Sequence, residues 1–146
     1  MATVKPALHG KSVQTGEKST AAGKRVDTGL MFRRYFTDGK TSPFDAVEWE
    51  KRTALIGNEK GVTIFRQEDV EVPKNWSQTA TNIVCSKYFH GKPGTKEREG
   101  SVRQLISRVA NTIVRWGEEG GYFGDTDSRD AFRDELRVVF DPAEQR

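Results

Sequence analysis

The chain has 146 residues, of which 34% are apolar and 31% charged, with a net charge of +3. That length allows one domain, or one domain and a tail, and the apolar share is below the ~45–50% (counted with glycine) of ordinary globular domains, so part of the chain is expected outside any core. The single cysteine, Cys85, excludes an intramolecular disulfide, and no apolar run approaches the ~18 residues of a membrane span.

The charge is uneven. Residues 1–34 hold seven Lys or Arg against two acids, whereas the remainder holds 17 basic and 19 acidic residues. The high isoelectric point therefore belongs to the N-terminal arm. Residues 1–29 are rich in Lys, Thr, Ser, Gly and Ala and cannot offset the ordering entropy of their own backbone, so a disordered basic arm is expected there. A hydrophobic signal segment is lacking, and a cytoplasmic location is the expectation.

Leu30–Phe36 (LMFRRYF) is the first apolar cluster. Its plain reading is an extended anchor that docks the arm on the body. Its alternation of aromatic and arginine also suits stacking on bases, as in single-stranded nucleic-acid binders. Asp38-Gly39 and Ser42-Pro43 are turn signals.

Two β-prone runs follow, Val47–Ile56 and Val62–Val72, joined by Gly57-Asn58-Glu59-Lys60-Gly61. They predict a hairpin over about 47–72. Val62, Ile64, Val70 and Val72 share one parity in the second run, and Val47, Trp49 and Lys51 share one in the first. Gln67-Glu68-Asp69 interrupts the second strand and predicts a bulge or turn. A lone hairpin is marginal in water, so it must pack on the helices that follow.

The first helix is predicted over about 76–90, starting near Asn75 or Ser77, with Trp76, Ala80, Ile83, Val84 and Tyr88 on one face. His90-Gly91-Lys92-Pro93-Gly94 ends it. The second is predicted over about 97–118, starting near Lys96 or at Ser101, on the stripe Val102, Leu105, Ile106, Val109, Ile113 and Trp116. The loop Gly120–Gly124 carries two aromatics. Asp125, Thr126 and Asp127 are N-cap candidates for a third helix over about 127–140, marked by Phe132, Leu136, Val139 and Phe140. The expected core joins Trp76, Ile83, Leu105, Val109, Ile113, Phe132 and Leu136. Trp49, Trp76 and Trp116 are expected as core or interface anchors.

No catalytic constellation emerges. His9 lies in the arm, and His90 sits at a helix end, where the dipole favours a cation. Two distant histidines and one cysteine give no zinc spacing. No phosphate loop, dinucleotide fingerprint or nucleophile elbow is present. Cys85 reads as a buried small hydrophobe rather than a thiol activated by Lys87 or His90. Glu97, Glu99, Glu118, Glu119, Asp125 and Asp127 read as a solvated surface. The expected catalytic, cofactor-binding and metal-binding residues in this chain are none.

From Phe44 onward the chain resembles the N-terminal region of class II, adenosylcobalamin-dependent ribonucleotide reductases. The resemblance rests on Ser42-Pro43-Phe44-Asp45, Val47-Glu48-Trp49-Glu50-Lys51-Arg52, Val70-Glu71-Val72-Pro73 and Trp76-Ser77-Gln78-Thr79-Ala80-Thr81-Asn82-Ile83-Val84. It continues through Ser86-Lys87-Tyr88-Phe89, Gly94-Thr95, Arg98-Glu99, Ser101-Val102-Arg103-Gln104-Leu105-Ile106, Gly121-Tyr122-Phe123, Asp130-Ala131-Phe132 and Glu135-Leu136. Each string is weak alone; their order and spacing are specific.

The resemblance implies an enzyme that converts ribonucleotides to deoxyribonucleotides for DNA synthesis. Adenosylcobalamin supplies a radical that becomes a thiyl on a cysteine, and a cysteine pair supplies two electrons, all inside a ten-stranded α/β barrel. Three cysteines are needed, and this chain has one. The pattern is lost around Val138, where the family would run on toward its barrel. The fold expected here is α+β without that barrel: a disordered arm over 1–29 and an accessory domain over 30–146. The chain alone is expected to be no enzyme. It would dock on the reductase's catalytic barrel, in the same or a separate chain, and meet ribonucleotide only through it. A truncated gene product, a split subunit and a decayed copy all remain open. The alternative is a stand-alone nucleic-acid- or protein-binding module using the arm and Phe32–Phe36.

Overall fold

The computed structural model describes residues 29–140. The expectation of a disordered arm falls almost wholly outside them. The described chain forms an α+β domain: a 3₁₀ turn at Pro43–Ala46, strands β1 (Trp49–Gly57) and β2 (Thr63–Pro73), then helices α1 (Gln78–Lys87), α2 (Val102–Glu119) and α3 (Thr126–Val139). The strands pair antiparallel as a two-stranded sheet. Asn58 shapes the hairpin tip: its Oδ1 accepts from the Lys60 and Val62 amides at 3.0 and 2.9 Å.

The register shifts between Arg52 and Ala54, whose partners are Val70 and Gln67. One extra residue therefore sits on β2, at the charged Gln67-Glu68-Asp69 interruption. Asp69 takes a left-handed φ of 53°, which aspartate tolerates better than most residues. An odd insertion switches the parity of everything beyond it. Val70 and Val72 are wholly buried, while Val62 and Ile64, expected on the same face, are exposed. Phe65 and Gln67 turn inward instead. On β1 the inward residues are Arg52, Ala54 and Ile56, and Lys51 points to solvent.

Each helix begins on a side-chain cap. Ser77 accepts from the Ala80 amide, Ser101 from the Arg103 amide and Asp125 from the Ser128 amide. α2 starts at Val102, the later of its two expected starts, because Gly100 is used otherwise: its carbonyl accepts from the Glu71 amide at 2.9 Å and ties the helix entry to β2. The segment before the hairpin is strapped along α3. The Phe32 amide donates to Ser128 Oγ, Arg34 pairs with Asp134 at 2.9 Å, and Glu135 accepts from the Phe36 and Thr37 amides.

The core differs from the expected set. It joins Phe44, Ala54, Val70, Val72, Cys85, Phe89, Val102 and Ile106, with Trp49, Phe65, Trp76, Val84 and Leu105 packed at its edge. Ala110, Val114, Ala131 and Val138 are buried as well. None of Trp76, Ile83, Leu105, Val109, Ile113, Phe132 and Leu136 is fully buried, and Ile83 is 48% exposed. The inward face of α1 is Thr81, Cys85 and Phe89 rather than Ile83 and Tyr88. Thr81 can sit inside because its hydroxyl donates to the Ser77 carbonyl at 3.1 Å and needs no water.

Candidate functional site

The connection between α1 and α2 is organised by two charged residues. The Arg98 guanidinium donates to the Cys85, Phe89 and Gly91 carbonyls, satisfying the open C-terminal end of α1. Its Nε donates to Gln67 Oε1 at 3.0 Å, and the group lies over the Phe65 and Phe89 rings. Glu99, expected at the surface, is buried. It accepts from the His90 amide at 2.7 Å and from Arg108 Nε at 2.7 Å. Burial alone would raise its pKa, but the Arg108 guanidinium and the His90 amide hold it below the ordinary carboxylate value. Gly91, at φ 83°, passes so close to Glu97 that a Cβ would lie 2.2 Å from the Glu97 carbonyl oxygen.

These contacts are internal to the loop and leave no open acid–base pair. Cys85 is fully buried, and burial pushes its thiol up to about 11, against a smaller opposite pull from Arg98. His90 is exposed and contributes its backbone to Glu99. His9 lies outside the described residues. Among the described residues, no group of three or more His, Cys, Asp or Glu is placed to hold a metal ion. Among them, too, no helix is long and apolar enough to cross a membrane. Asp125 caps α3 and Glu118 pairs with Arg129, so these acids act within the fold.

The aromatic–arginine cluster is divided. Phe32 stacks against Phe132 and Phe123, with centroids 4.9 and 5.9 Å apart, and Arg34 is held by Asp134 and Thr37. Arg33 and Tyr35 remain exposed.

What the surface does offer is an apolar track along α2. Leu105, Val109 and Ile113 are half-buried, and Trp116 is 60% exposed. They form one stripe at helical spacing. Its first half borders a groove of about 360 Å³ between α1 and α2, walled by Val84 and Tyr88 on one side and by Phe140 at the end of α3. Its second half borders another of about 310 Å³, where Ile113 and Trp116 face Leu30, Tyr122 and Phe132. Phe123 closes over Gly117, where a Cβ would lie 2.6 Å from its ring. Tyr88 and Tyr122 add further exposed aromatic surface. Apolar area of this kind, continuous along one helix, marks a contact face.

Sequence reasoning assigned this stripe to the core and missed Arg98 and Glu99 as a buried pair. The available signal was their place in a glycine-rich connection between two helices, where helix-end carbonyls need a donor.

The family model described as class II vitamin B12-dependent ribonucleotide reductase matches residues 50–142. The chain is 47% identical over 123 residues to the vitamin B12-dependent ribonucleotide reductase of Rhodopirellula baltica, covering 82% of this chain and 12% of that protein. It is 40% identical over 119 residues to the protein of the same name from Streptomyces coelicolor, covering 81% of this chain and 12% of that one. With the corresponding protein of Bradyrhizobium diazoefficiens the identity is 32%, over 73% of this chain and 11% of the relative. The chain thus spans about one-eighth of the length of these relatives. With a family match over most of the described domain and these identities beside it, the chain belongs to the class II vitamin B12-dependent ribonucleotide reductase family.

Proposed function

We propose that this domain is the N-terminal, non-catalytic portion of an adenosylcobalamin-dependent ribonucleotide reductase. Its work is to dock on the catalytic barrel, and ribonucleotide reduction takes place there, in the cytoplasm. The observation that carries this reading is the pairing of a family match over residues 50–142 with a thiol inventory of one buried cysteine. Radical reduction of a ribonucleotide needs a thiyl-forming cysteine and a reducing pair. Cys85 is wholly enclosed and held as the neutral thiol at physiological pH.

The residues present do not fit the cofactor. The larger of the two grooves beside α2, about 360 Å³, is lined by apolar side chains and offers no histidine. A corrin macrocycle with its nucleotide tail is larger than that groove. Cobalamin would therefore be held by other parts of the enzyme.

The nucleic-acid reading loses support from the internal use of Phe32 and Arg34. It predicts salt-sensitive binding of single-stranded DNA, lost when residues 1–36 are removed.

The test is an assay of the isolated chain for ribonucleotide reduction with adenosylcobalamin and a dithiol reductant. No turnover is expected. Measurable turnover would overturn the non-catalytic assignment.

A further inference from the structure

α1 leans on the hairpin and α2 packs on α3. The trough left between α1 and α2 is apolar on both walls, with Val84 and Tyr88 facing Leu105 and Val109. Trp76 also lines it, and the Trp76 Nε1 donor has no acceptor among the described residues. We propose that this trough is the seat of a helix from the reductase's catalytic remainder, contributed by the polypeptide that follows position 142 in the longer relatives. The proposal rests on the functional reading above and names the partner of the apolar face.

Three observations select that occupant. First, shape: the trough is bounded by helices and continues along α2, whose 18 residues span roughly 27 Å. A third helix laid into it would meet Leu105, Val109, Ile113 and Trp116 at the spacing of its own apolar stripe. An extended strand would need free backbone partners, which these walls of side chains do not supply. Second, position: Phe140, the C-cap of α3, forms one lip of the trough, and the family match runs on to residue 142. In the longer relatives the polypeptide therefore leaves this domain beside the trough. A short tether gives the following segment an effective concentration in the millimolar range, so a modest apolar contact suffices. Third, supply: the relatives carry most of their length outside the matched region. A second copy of this chain fits less well, because it would bring a concave trough against an equal one.

The test uses a full-length enzyme. Residues 30–140 of this chain replace the matching segment of the Rhodopirellula baltica reductase. The photo-crosslinking amino acid p-benzoylphenylalanine is placed at Tyr88, at Phe140 or, as a control, at Ile64 near the hairpin tip. Tyr88 and Ile64 are 62% and 69% exposed, and Phe140 is also exposed, so the substitutions leave the core untouched. After irradiation, mass spectrometry locates the crosslinks. The proposal expects products from 88 and 140 that land on one helical segment of the same polypeptide, C-terminal to the matched region, at least tenfold above the yield from 64. Crosslinks from 88 to the same trough of a second copy would overturn it in favour of self-association. An active chimera with no crosslink above the control would overturn the trough assignment alone. A chimera without reductase activity, beside an active parent, would overturn the functional reading and the trough with it.

Discussion

Two stripes of α2 differ in what covers them. Val102, Ile106, Ala110 and Val114 are buried, whereas Leu105, Val109, Ile113 and Trp116, roughly a quarter turn away, stay open or half-open. The open stripe carries the bulkier side chains. Small residues inside let α2 approach the hairpin and α3 closely, and bulky residues outside keep area in reserve. A domain whose largest apolar groups lie outside its own core is shaped for a partner. Burial inside this domain holds the fold, and apolar area at its edge serves assembly.

That contrast can be broken most directly by paired truncations. Ile106→Ala removes buried methylenes and should cost about 3 kcal/mol, while Val109→Ala on the open stripe should cost less than ~1 kcal/mol. Urea unfolding of the isolated chain measures both, and equal losses would erase the distinction between the stripes. Next in size is Arg98→Met, which keeps much of the side chain's bulk but strands the carbonyls at the end of α1. A loss of about 2 kcal/mol is expected, read as a lower melting temperature.

Glu99→Gln should cost between about 1 and 2 kcal/mol at pH 7, since it uncouples Arg108 from a buried partner. The pH dependence has a defined sign. The folded pKa of Glu99 lies below its ordinary 4.5, so the carboxylate stabilises the fold above that value and loses its contribution as pH falls through the lower folded value. The gap between wild type and Glu99→Gln should therefore close on acidification; a gap unchanged at pH 2.5 would contradict the pairing.

Cys85 gives the alkaline counterpart. Its thiol is raised from 9.0 to about 11 by burial, so its contribution is complete below pH 9 and is lost as pH rises toward 11. Cys85→Ala should remove that part of the alkaline decline, and native protein should resist iodoacetamide at pH 8. The smallest effect is expected at the rim: Trp116→Ser should change stability by less than ~0.5 kcal/mol. Once the catalytic remainder is seated, Trp116 emission should shift to the blue, and an unchanged spectrum in the full-length chimera would argue against its cover.

Much of this architecture was legible from local chemistry. The glycine-rich turn, the charged interruption of β2, the serine and aspartate caps and the Gly/Pro stop after α1 act over a few residues, so their outcome is written in neighbouring positions. The strings from Ser42 to Leu136 likewise pointed to the reductase family before any coordinates. What local pattern could not carry was phase. The bulge at Asp69 reverses which half of β2 faces inward, and its effect is felt by Val62 and Ile64 only through pairing with β1. On α2 the residues Val102 to Trp116 satisfy a helical period whichever edge of the stripe is turned in, because apolar periodicity records that a face is apolar and not what lies against it.

Glu99 shows the same limit for charge: its burial depends on Arg108, nine residues away, and on the His90 amide. The sequence by itself determined the elements, their ends and the kinship. Only the tertiary structure decided which apolar stripe became core and which became docking face, because that choice depends on the hairpin and α3 competing for the surface of one helix.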